Sequence, residues 1–200
     1  MHSAKVRLRD ILRRTSLQSR EDPIFRLASG KMSRYYVDCK QALSDPEARA
    51  LVGQLVLERL GGISLDAVGG MELGAYPIAT SVSDAIFRAT GAKVRAFVVR
   101  KESKQHGIQG LIAGNVKPGD KALIVDDVVT AGSSTVTAIK AARQAGLAVE
   151  RVIVIIDREE EDGRKSIEAQ GIPFDALITL SELLDEPQSI TATADPGQSK

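Results

Sequence analysis

The sequence predicts an α/β fold in which a mainly parallel sheet is covered by helices on both faces. Between residues 65 and 180, short runs rich in apolar residues alternate with segments of helical character. Strands that alternate with helices predict parallel pairing, because each helix carries the chain back across the sheet. The length of 200 residues suits a single domain with a sizeable core.

The first 45 residues or so precede this alternation and predict a small N-terminal hood. Apolar residues at helical spacing indicate a short amphipathic helix over 6–16. Two β-prone runs, 24–27 and 35–38, flank the Ser29-Gly30 turn signal and predict a hairpin. Because the hood lies outside the alternating core, we expect it to cover a site.

The core, about residues 46–185, contains elements with recognisable ends. Asp45-Pro46 and Gly61-Gly62 predict the start and the end of one helix. Further elements are predicted in chain order: a strand over 65–69, a helix over 75–90, strands over 93–100 and 121–127, a helix over 133–145, and strands over 147–156 and 174–180. Hood and core form one domain, 1–185, and the polar residues 186–200 are predicted to be a flexible tail.

Composition excludes several classes of protein. A net charge of +1 and only 4% aromatic residues argue against a nucleic-acid binder, which needs a basic surface or stacking platforms. The longest apolar runs, such as 152–156, are too short to span a membrane. A single cysteine, Cys39, cannot form an internal disulfide, which predicts a cytoplasmic protein. We expect this thiol to be packed rather than reactive, since no activating neighbour is recognisable.

The strongest motif is the segment 122–135, in which an apolar strand ends in Asp126 and Asp127 before a turn rich in hydroxyl groups. Ligands of open parallel sheets bind beyond the carboxyl ends of the strands. The turn 130–135 opens a helix, whose free amides and dipole favour a phosphate. Ionised carboxylates accept hydrogen bonds from sugar hydroxyls. The alternative is an ordinary strand-to-helix turn with polar capping residues.

This motif resembles the signature with which type I phosphoribosyltransferases bind 5-phosphoribosyl-1-pyrophosphate. The resemblance implies a Rossmann-like fold and a donor site along one continuous segment: Asp126, Asp127, Val128, Val129, Thr130, Ala131, Gly132, Ser133 and Ser134. It also implies that the two aspartates hold the ribose hydroxyls and act in catalysis.

A second motif lies in 101–118, a charged, glycine-rich connection whose length is typical of functional loops. The run from Arg100 to Gly107 resembles the R-K-x-x-K-x-H-G catalytic loop of orotate phosphoribosyltransferases. The resemblance implies that Arg100, Lys101, Lys104 and His106 bind the donor, with Lys104 and His106 catalytic. Cations that reach the leaving pyrophosphate on loop closure stabilise the transition state. The alternative is a solvated charged loop.

Two further motifs predict the binding site for the base. The segment 25–38 resembles the F-x-L-x-S-G-x-x-S-x-Y-Y-x-D hairpin of the same family, which places Tyr35 and Tyr36 near orotate. By the same resemblance Thr130 contacts orotate and Arg158 meets its carboxylate, a pairing that suits a planar guanidinium. Each tyrosine could instead be part of the hairpin core. The alternative for Arg158 is a surface salt bridge with Glu159, Glu160 or Glu161.

The chain departs from the family pattern at two positions. Leu73 in the turn 69–75 and Ala28 before Ser29 both stand where some members of the family have a lysine. The turn should cradle pyrophosphate, so pyrophosphate binding is left to backbone amides and to the basic loop. The departure therefore removes two expected lysine contacts without changing the expected reaction.

The resemblance covers about residues 24–184 and implies the transfer of ribose 5-phosphate from 5-phosphoribosyl-1-pyrophosphate to orotate. It implies Mg²⁺ as cofactor, carried by the donor without direct protein ligands, and a homodimer whose subunits share the catalytic loop. Small-molecule substrates are expected, and neither nucleic acid nor membrane. Two alternatives stay open: a purine phosphoribosyltransferase, and a non-catalytic regulator that binds the same donor.

Overall fold

A computed structural model describes residues 3–27, 30–102 and 111–185. The helices in this part of the chain are α1 (Ala4–Thr15), α2 (Cys39–Leu43), α3 (Pro46–Leu60), α4 (Ala75–Thr90), α5 (Ser133–Gln144), α6 (Gly163–Glu168) and α7 (Leu180–Leu184). The strands are β1 (Leu17–Ser19), β2 (Phe25–Arg26), β3 (Met32–Ser33), β4 (Tyr35–Val37), β5 (Ala67–Met71), β6 (Arg95–Val99), β7 (Ile112–Ala113), β8 (Lys121–Val129), β9 (Ala148–Asp157) and β10 (Phe174–Thr179).

The centre of the fold is a six-stranded sheet in the order β10-β9-β8-β5-β6-β7. All neighbouring strands pair in parallel except β7, which runs antiparallel to β6 at one edge. Alternate side chains of β8 show why both faces are covered: Leu123 and Val125 pack in one apolar cluster, and Ala122 and Ile124 pack in the other. The predicted α/β fold with a mainly parallel sheet is confirmed.

Helices cover both faces of this sheet. Side chains of α1, α3 and α4 pack in the cluster on one face, and those of α5 and α6 pack in the cluster on the other. No helix in the described ranges is long and apolar enough to cross a membrane.

Two helices have the predicted boundaries because their terminal signals are strong. Asp45 caps α3 by accepting a hydrogen bond from the Glu47 amide at 2.8 Å, and α3 ends at Gly61 in the left-handed region. Helix α4 likewise ends at Gly91 with φ of 76°. The ends of strands are less well marked, and β8 runs two residues beyond the predicted end at 127, so that Val128 and Val129 also belong to the strand.

The predicted hairpin is wrong in its second arm. The run 24–27 does form a hairpin, but β2 pairs with β3, while β4 pairs antiparallel with β1. Burial explains the choice, because Val37 is buried opposite Leu17, whereas the paired Arg26 and Met32 of β2 and β3 are both exposed. The Ser33 hydroxyl accepts a hydrogen bond from the Tyr35 amide at 3.1 Å and marks the break between β3 and β4.

Six short elements were not predicted: β1, β3, α2, β7, α6 and α7. Strand β7 has two residues and lies inside the connection 101–118 that was predicted to be a loop. Helix α7 does carry a readable signal, because Thr179 and Glu182 form a capping box with both hydrogen bonds present. Short elements escape a periodicity argument because they contain fewer than two helical turns or a single strand repeat.

Candidate active site

A crevice opens in the sheet where β5 and β8 stop pairing. Their ladder ends at Gly69 and Ile124, although β5 continues beside β6 to Met71 and β8 continues beside β9 to Val129. From β5 the chain adds β6 and β7 on one side of the sheet and then β8, β9 and β10 on the other side. The direction in which strands are added therefore reverses between β5 and β8. Such switch points at the carboxyl ends of strands are where α/β sheets bind ligands. A pocket of about 420 Å³ lies at this point, lined by Lys40, Met71, Glu72, Leu73, Gly74, Lys101, Asp126, Asp127 and Ser134.

Asp126 points from β8 towards α5 and is buried. Its Oδ2 accepts a hydrogen bond from the Thr135 hydroxyl at 2.7 Å, and its Oδ1 accepts one from the Asp127 amide at 3.0 Å. Burial and the neighbouring charge of Asp127 raise the pKa of Asp126 to about 7, against an ordinary value of 3.8. This carboxyl group therefore changes its protonation state near neutral pH.

Asp127 points to the opposite face of β8, towards the start of α4. Gly74 lies so close to it that a Cβ atom at this position would be 2.6 Å from the Asp127 Cγ. The absence of a side chain at Gly74 therefore gives the carboxylate its place in the pocket. The Lys40 ammonium lies 4.0 Å from the Asp127 Oδ2. The two aspartates thus differ, since one is buried and the other faces a cation across the pocket.

Two helices direct uncapped N-termini at this crevice. Helix α5 begins after Gly132, whose φ of 77° is one that glycine adopts without strain, and α4 begins after Gly74. Neither N-cap residue makes a side-chain capping hydrogen bond. The first amides of both helices are consequently available to anions, and Ser133 and Ser134 expose hydroxyl groups beside those of α5.

The remaining predicted donor residues fall into two groups. Val128 and Val129 are the last residues of β8, and Thr130 and Ala131 are half-buried in the turn before Gly132. Together with Asp126 and Asp127 they form the continuous strand–turn–helix segment that the motif predicts.

The basic connection begins and ends at the edge of the pocket. The Arg100 amide donates to the Leu111 carbonyl at 2.7 Å, so the described residues on either side are held together. The Lys101 amide donates to the Glu72 Oε1 at 3.2 Å, which joins the connection to the turn after β5. The predicted catalytic residues Lys104 and His106 lie outside the described residues, and so does Ala28.

Arg158 joins the hood to the core. Its side chain is 3% exposed, and its amide donates to the Val129 carbonyl at 3.0 Å. Its Nη2 donates to the Ser33 hydroxyl and to the Tyr35 carbonyl, both at 3.2 Å. Its Nε also donates to Glu160 at 3.0 Å. The alternative expected an exposed salt bridge. It is wrong because the Arg158 side chain is buried, although the expected pairing with Glu160 is present.

The two tyrosines of the hood have different environments. Tyr35 is half-buried and packs against the main apolar cluster, as the alternative interpretation expected. Tyr36 is 40% exposed, and its ring stacks on Phe25 with centroids 5.6 Å apart. Tyr36 is the more exposed of the two, so its side chain is the better placed to contact a ligand. Cys39, predicted to be packed, is buried, and burial raises the pKa of its thiol well above its usual range.

Several residues that shape the pocket were not predicted as individual contacts, although Glu72, Gly74 and Thr135 lie in turns that were predicted to hold the donor. Lys40, Gly74 and Glu72 line the pocket, while Thr135 and Ser33 hydrogen-bond Asp126 and Arg158. For Gly74 and Thr135 a signal existed, because both lie within motifs that were already recognised. For Lys40 no signal existed, since only the tertiary fold brings α2 to the end of β8.

Comparisons with known proteins agree with this geometry. The sequence matches the family model described as phosphoribosyl transferase domain over residues 41–175. An orotate phosphoribosyltransferase of Aquifex aeolicus (strain VF5) is 44% identical over 180 residues, which cover 90% of this chain and 97% of that protein.

Solved structures give the same result. A crystal structure of Mycobacterium tuberculosis H37Rv orotate phosphoribosyltransferase with Fe(III) dicitrate has a TM-score of 0.78 and 34% identity, covering 92% of this chain and 100% of that one. A structure of the same enzyme with 5-phospho-alpha-D-ribosyl 1-diphosphate has a TM-score of 0.71 and 33% identity, covering 90% of this chain and 99% of that one.

Proposed function

The chain belongs to the phosphoribosyltransferase family, and we propose that it transfers ribose 5-phosphate from 5-phosphoribosyl-1-pyrophosphate to orotate. The products are orotidine 5-monophosphate and pyrophosphate, on the route to pyrimidine nucleotides. The observation that carries the proposal is the placement of the aspartate pair and two uncapped helix N-termini at one switch point of the sheet, with a buried arginine at the end of the next strand, β9.

The donor fits the crevice by its chemistry. Its 5-phosphate binds the free amides and hydroxyls at the start of α5, because a helix N-terminus favours an anion. The carboxylates of Asp126 and Asp127 accept hydrogen bonds from the ribose hydroxyls. The pyrophosphate then reaches the turn at Leu73 and Gly74, where the start of α4 offers a second set of amides.

The base lies between the hood and the end of β9. The hydrogen bonds of Arg158 to other described residues use Nε and Nη2, which leaves Nη1 for the orotate carboxylate. A bond between guanidinium and carboxylate in a buried setting discriminates strongly against bases that lack the acid group. Thr130 is near this position, because the Arg158 amide bonds the neighbouring Val129 carbonyl. Tyr36 offers the exposed ring face, and Tyr35 offers its backbone.

In the reaction, a nitrogen of orotate attacks the anomeric carbon of ribose and pyrophosphate leaves. Negative charge grows on the leaving group, so cations that approach it lower the barrier. Lys104 and His106 fill this role in the proposal, together with Arg100 and Lys101 at the start of the connection. The carboxylates of Asp127 and Glu72 line the pocket and can accept hydrogen bonds from the waters that Mg²⁺ retains, so the pocket fits Mg²⁺ carried by the donor. When bound there, the ion would neutralise charge on the pyrophosphate.

The proposal includes a cytoplasmic homodimer in which each subunit contributes its basic loop to the site of the other. A two-fold axis makes such an exchange reciprocal. Light scattering after size exclusion, at the concentration of the activity assay, measures the mass of the active species. A fully active monomer would contradict this part of the proposal and leave the reaction itself standing.

The test of the reaction is orotate consumption, followed by absorbance, with 5-phosphoribosyl-1-pyrophosphate and Mg²⁺. We expect consumption that requires both, and a fall of at least about 100-fold in Lys104→Ala. Lys117→Ala, a lysine in the same connection, is the matched control and should keep wild-type activity. Turnover of adenine, hypoxanthine or guanine instead of orotate would identify a purine enzyme. Donor binding without turnover of any base would identify a regulator.

A further inference from the structure

We propose that Lys40, in the hood helix α2, binds the pyrophosphate of the donor and supplies the fixed cation that the turn at Leu73 lacks. This inference rests on the proposed function, because it assigns a further residue to the donor site. The residue reaches the site through tertiary structure, from a segment outside the donor motif and the basic connection.

The backbone of α2 holds Lys40 beside the end of β8. Asp38 caps the helix by accepting a hydrogen bond from the Lys40 amide at 3.1 Å. The buried Cys39 places its Sγ 3.9 Å from the Asp127 carbonyl oxygen. Since a buried neighbour fixes the start of α2 against the strand that carries the acids, the position of Lys40 is set by packing.

The side chain of Lys40 extends into the pocket. Its ammonium lies 3.0 Å from the Asp38 Oδ1 and 4.0 Å from the Asp127 Oδ2. The pocket that it lines also contains the turn formed by Glu72, Leu73 and Gly74. The ammonium is therefore near both the aspartate that holds ribose and the turn that receives pyrophosphate, which is where the two parts of the donor join.

Charge balance around the pocket favours an anion next to Lys40. The described residues that line it include three carboxylates, Glu72, Asp126 and Asp127, and two cations, Lys40 and Lys101. A pyrophosphate that enters such a site meets net repulsion unless cations stand close to it. Leu73 offers none, and its side chain is 76% exposed at the rim of the pocket.

Lys40 also has hydrogen-bonding capacity to spare. An ammonium has three donors, and the contact with Asp38 uses one of them. The side chain is 56% exposed, so a ligand can reach it. The hydrogen bond to Asp38 raises the pKa of Lys40, and the charge of Asp127 acts in the same direction, so the side chain stays cationic. An ion pair that only stabilised α2 would not need to face the acid pair of the site.

The experiment measures binding of 5-phosphoribosyl-1-pyrophosphate with Mg²⁺ by titration calorimetry, without orotate, at pH 8. Lys40→Met should weaken binding by about 10- to 100-fold, the effect expected for loss of one charged hydrogen bond to phosphate. Lys40→Arg should recover most of the affinity. The matched control is Lys5→Met, which removes a lysine paired with Glu182 at 2.6 Å outside the pocket. It should bind the donor as wild type does.

A second variant separates ligand binding from a structural role. Asp38→Asn keeps a good capping residue but breaks the ion pair with Lys40. If Lys40 binds pyrophosphate, Asp38→Asn retains the affinity that Lys40→Met loses. Equal losses of donor affinity in the two variants would mean that only the ion pair between Lys40 and Asp38 matters, and the proposal would be overturned.

Two other results would also overturn it. One is donor affinity in Lys40→Met within about threefold of wild type. The other is unchanged affinity with a changed kcat and pH profile, which would mean that Lys40 acts only by positioning Asp127. Orotate turnover by the wild type, measured in parallel, keeps the two proposals apart. A wild type that binds the donor but leaves orotate unchanged refutes the proposed function, whereas the comparison of variants still decides the role of Lys40.

Discussion

Asp126→Asn tests whether the ionised carboxylate at the site lowers the stability of the folded protein. The wild-type carboxyl group is buried beside the charge of Asp127, and both effects raise its pKa to about 7. The unfolded chain releases this proton near the ordinary pKa of 3.8, whereas the folded protein keeps it until about 7. Ionisation therefore disfavours the folded state, and wild-type stability should fall as pH rises through this window. Asparagine has nearly the same shape and cannot ionise.

The difference between the two pKa values sets the size of the effect. Each unit of difference between the two pKa values corresponds to 1.36 kcal/mol, so full ionisation of Asp126 lowers the free energy of unfolding by at most about 4 kcal/mol. Asparagine also loses part of the charge-assisted hydrogen bond from Thr135, which offsets about half of this gain. We expect Asp126→Asn to be more stable than wild type by roughly 2 kcal/mol at pH 8. In a domain of this size that gain raises Tm by about 4–8 °C.

The assay is thermal unfolding of wild type and Asp126→Asn at pH 8 and pH 5. The gain should be present at pH 8 and nearly absent at pH 5, where wild-type Asp126 is protonated. Asp157→Asn is the matched control, because Asp157 is also buried but lies 3.3 Å from the Arg164 guanidinium. Removing that carboxylate breaks an ion pair and should lower stability at pH 8.

Two results would refute this reasoning. If Asp126→Asn were less stable than wild type at pH 8, the hydrogen bonds of Asp126 would outweigh the cost of its buried charge. If the gain were equal at pH 5 and pH 8, ionisation would not be its cause. Donor affinity gives a second test of the same ionisation. Wild type should bind the donor more weakly as pH falls below about 7, whereas Asp126→Asn should bind the donor weakly at every pH.

Two further variants test the walls of the site. Gly74→Ala places a Cβ atom 2.6 Å from the Asp127 Cγ, which is at the movable end of a side chain. We therefore expect KM for the donor to rise about 10-fold while Tm stays within a few degrees of wild type. Wild-type kinetics in this variant would show that Asp127 can move without loss of donor binding. Arg158→Lys removes the planar guanidinium that links the hood to the core. KM for orotate should therefore rise by about 10- to 100-fold, with a smaller rise in KM for the donor. Equal changes in KM for both substrates would indicate a general loss of structure.

The sequence was sufficient for the features that depend on local chemistry. The ends of α3 and α4 were predicted to the residue, because proline, a capping aspartate and glycine act on their immediate neighbours. The position of Asp126 and Asp127 at the carboxyl end of a central strand followed from the apolar run before them.

The features that were missed depend on packing between distant segments. The choice of β1 as the partner of β4 depends on burying Val37 against Leu17, and no local turn signal encodes it. Lys40 reaches the pocket only because α2 lies against β8. The contact between Gly74 and Asp127 likewise joins residues that are far apart in the chain. A motif can therefore identify the donor site, but only the packed fold shows which additional side chains complete it.

The site departs from what stability alone would favour, and each departure has a chemical use. Two helix N-termini lack side-chain caps, a carboxyl group is buried next to another, and Leu73 is exposed at the rim. Capping side chains would occupy the amides that a phosphate needs, and an apolar residue at position 126 would remove the acceptor for a ribose hydroxyl. The donor can supply the missing partners, with its phosphates at the helix ends and its hydroxyls at the acids. Donor binding should therefore stabilise this protein through the same groups that weaken the free fold.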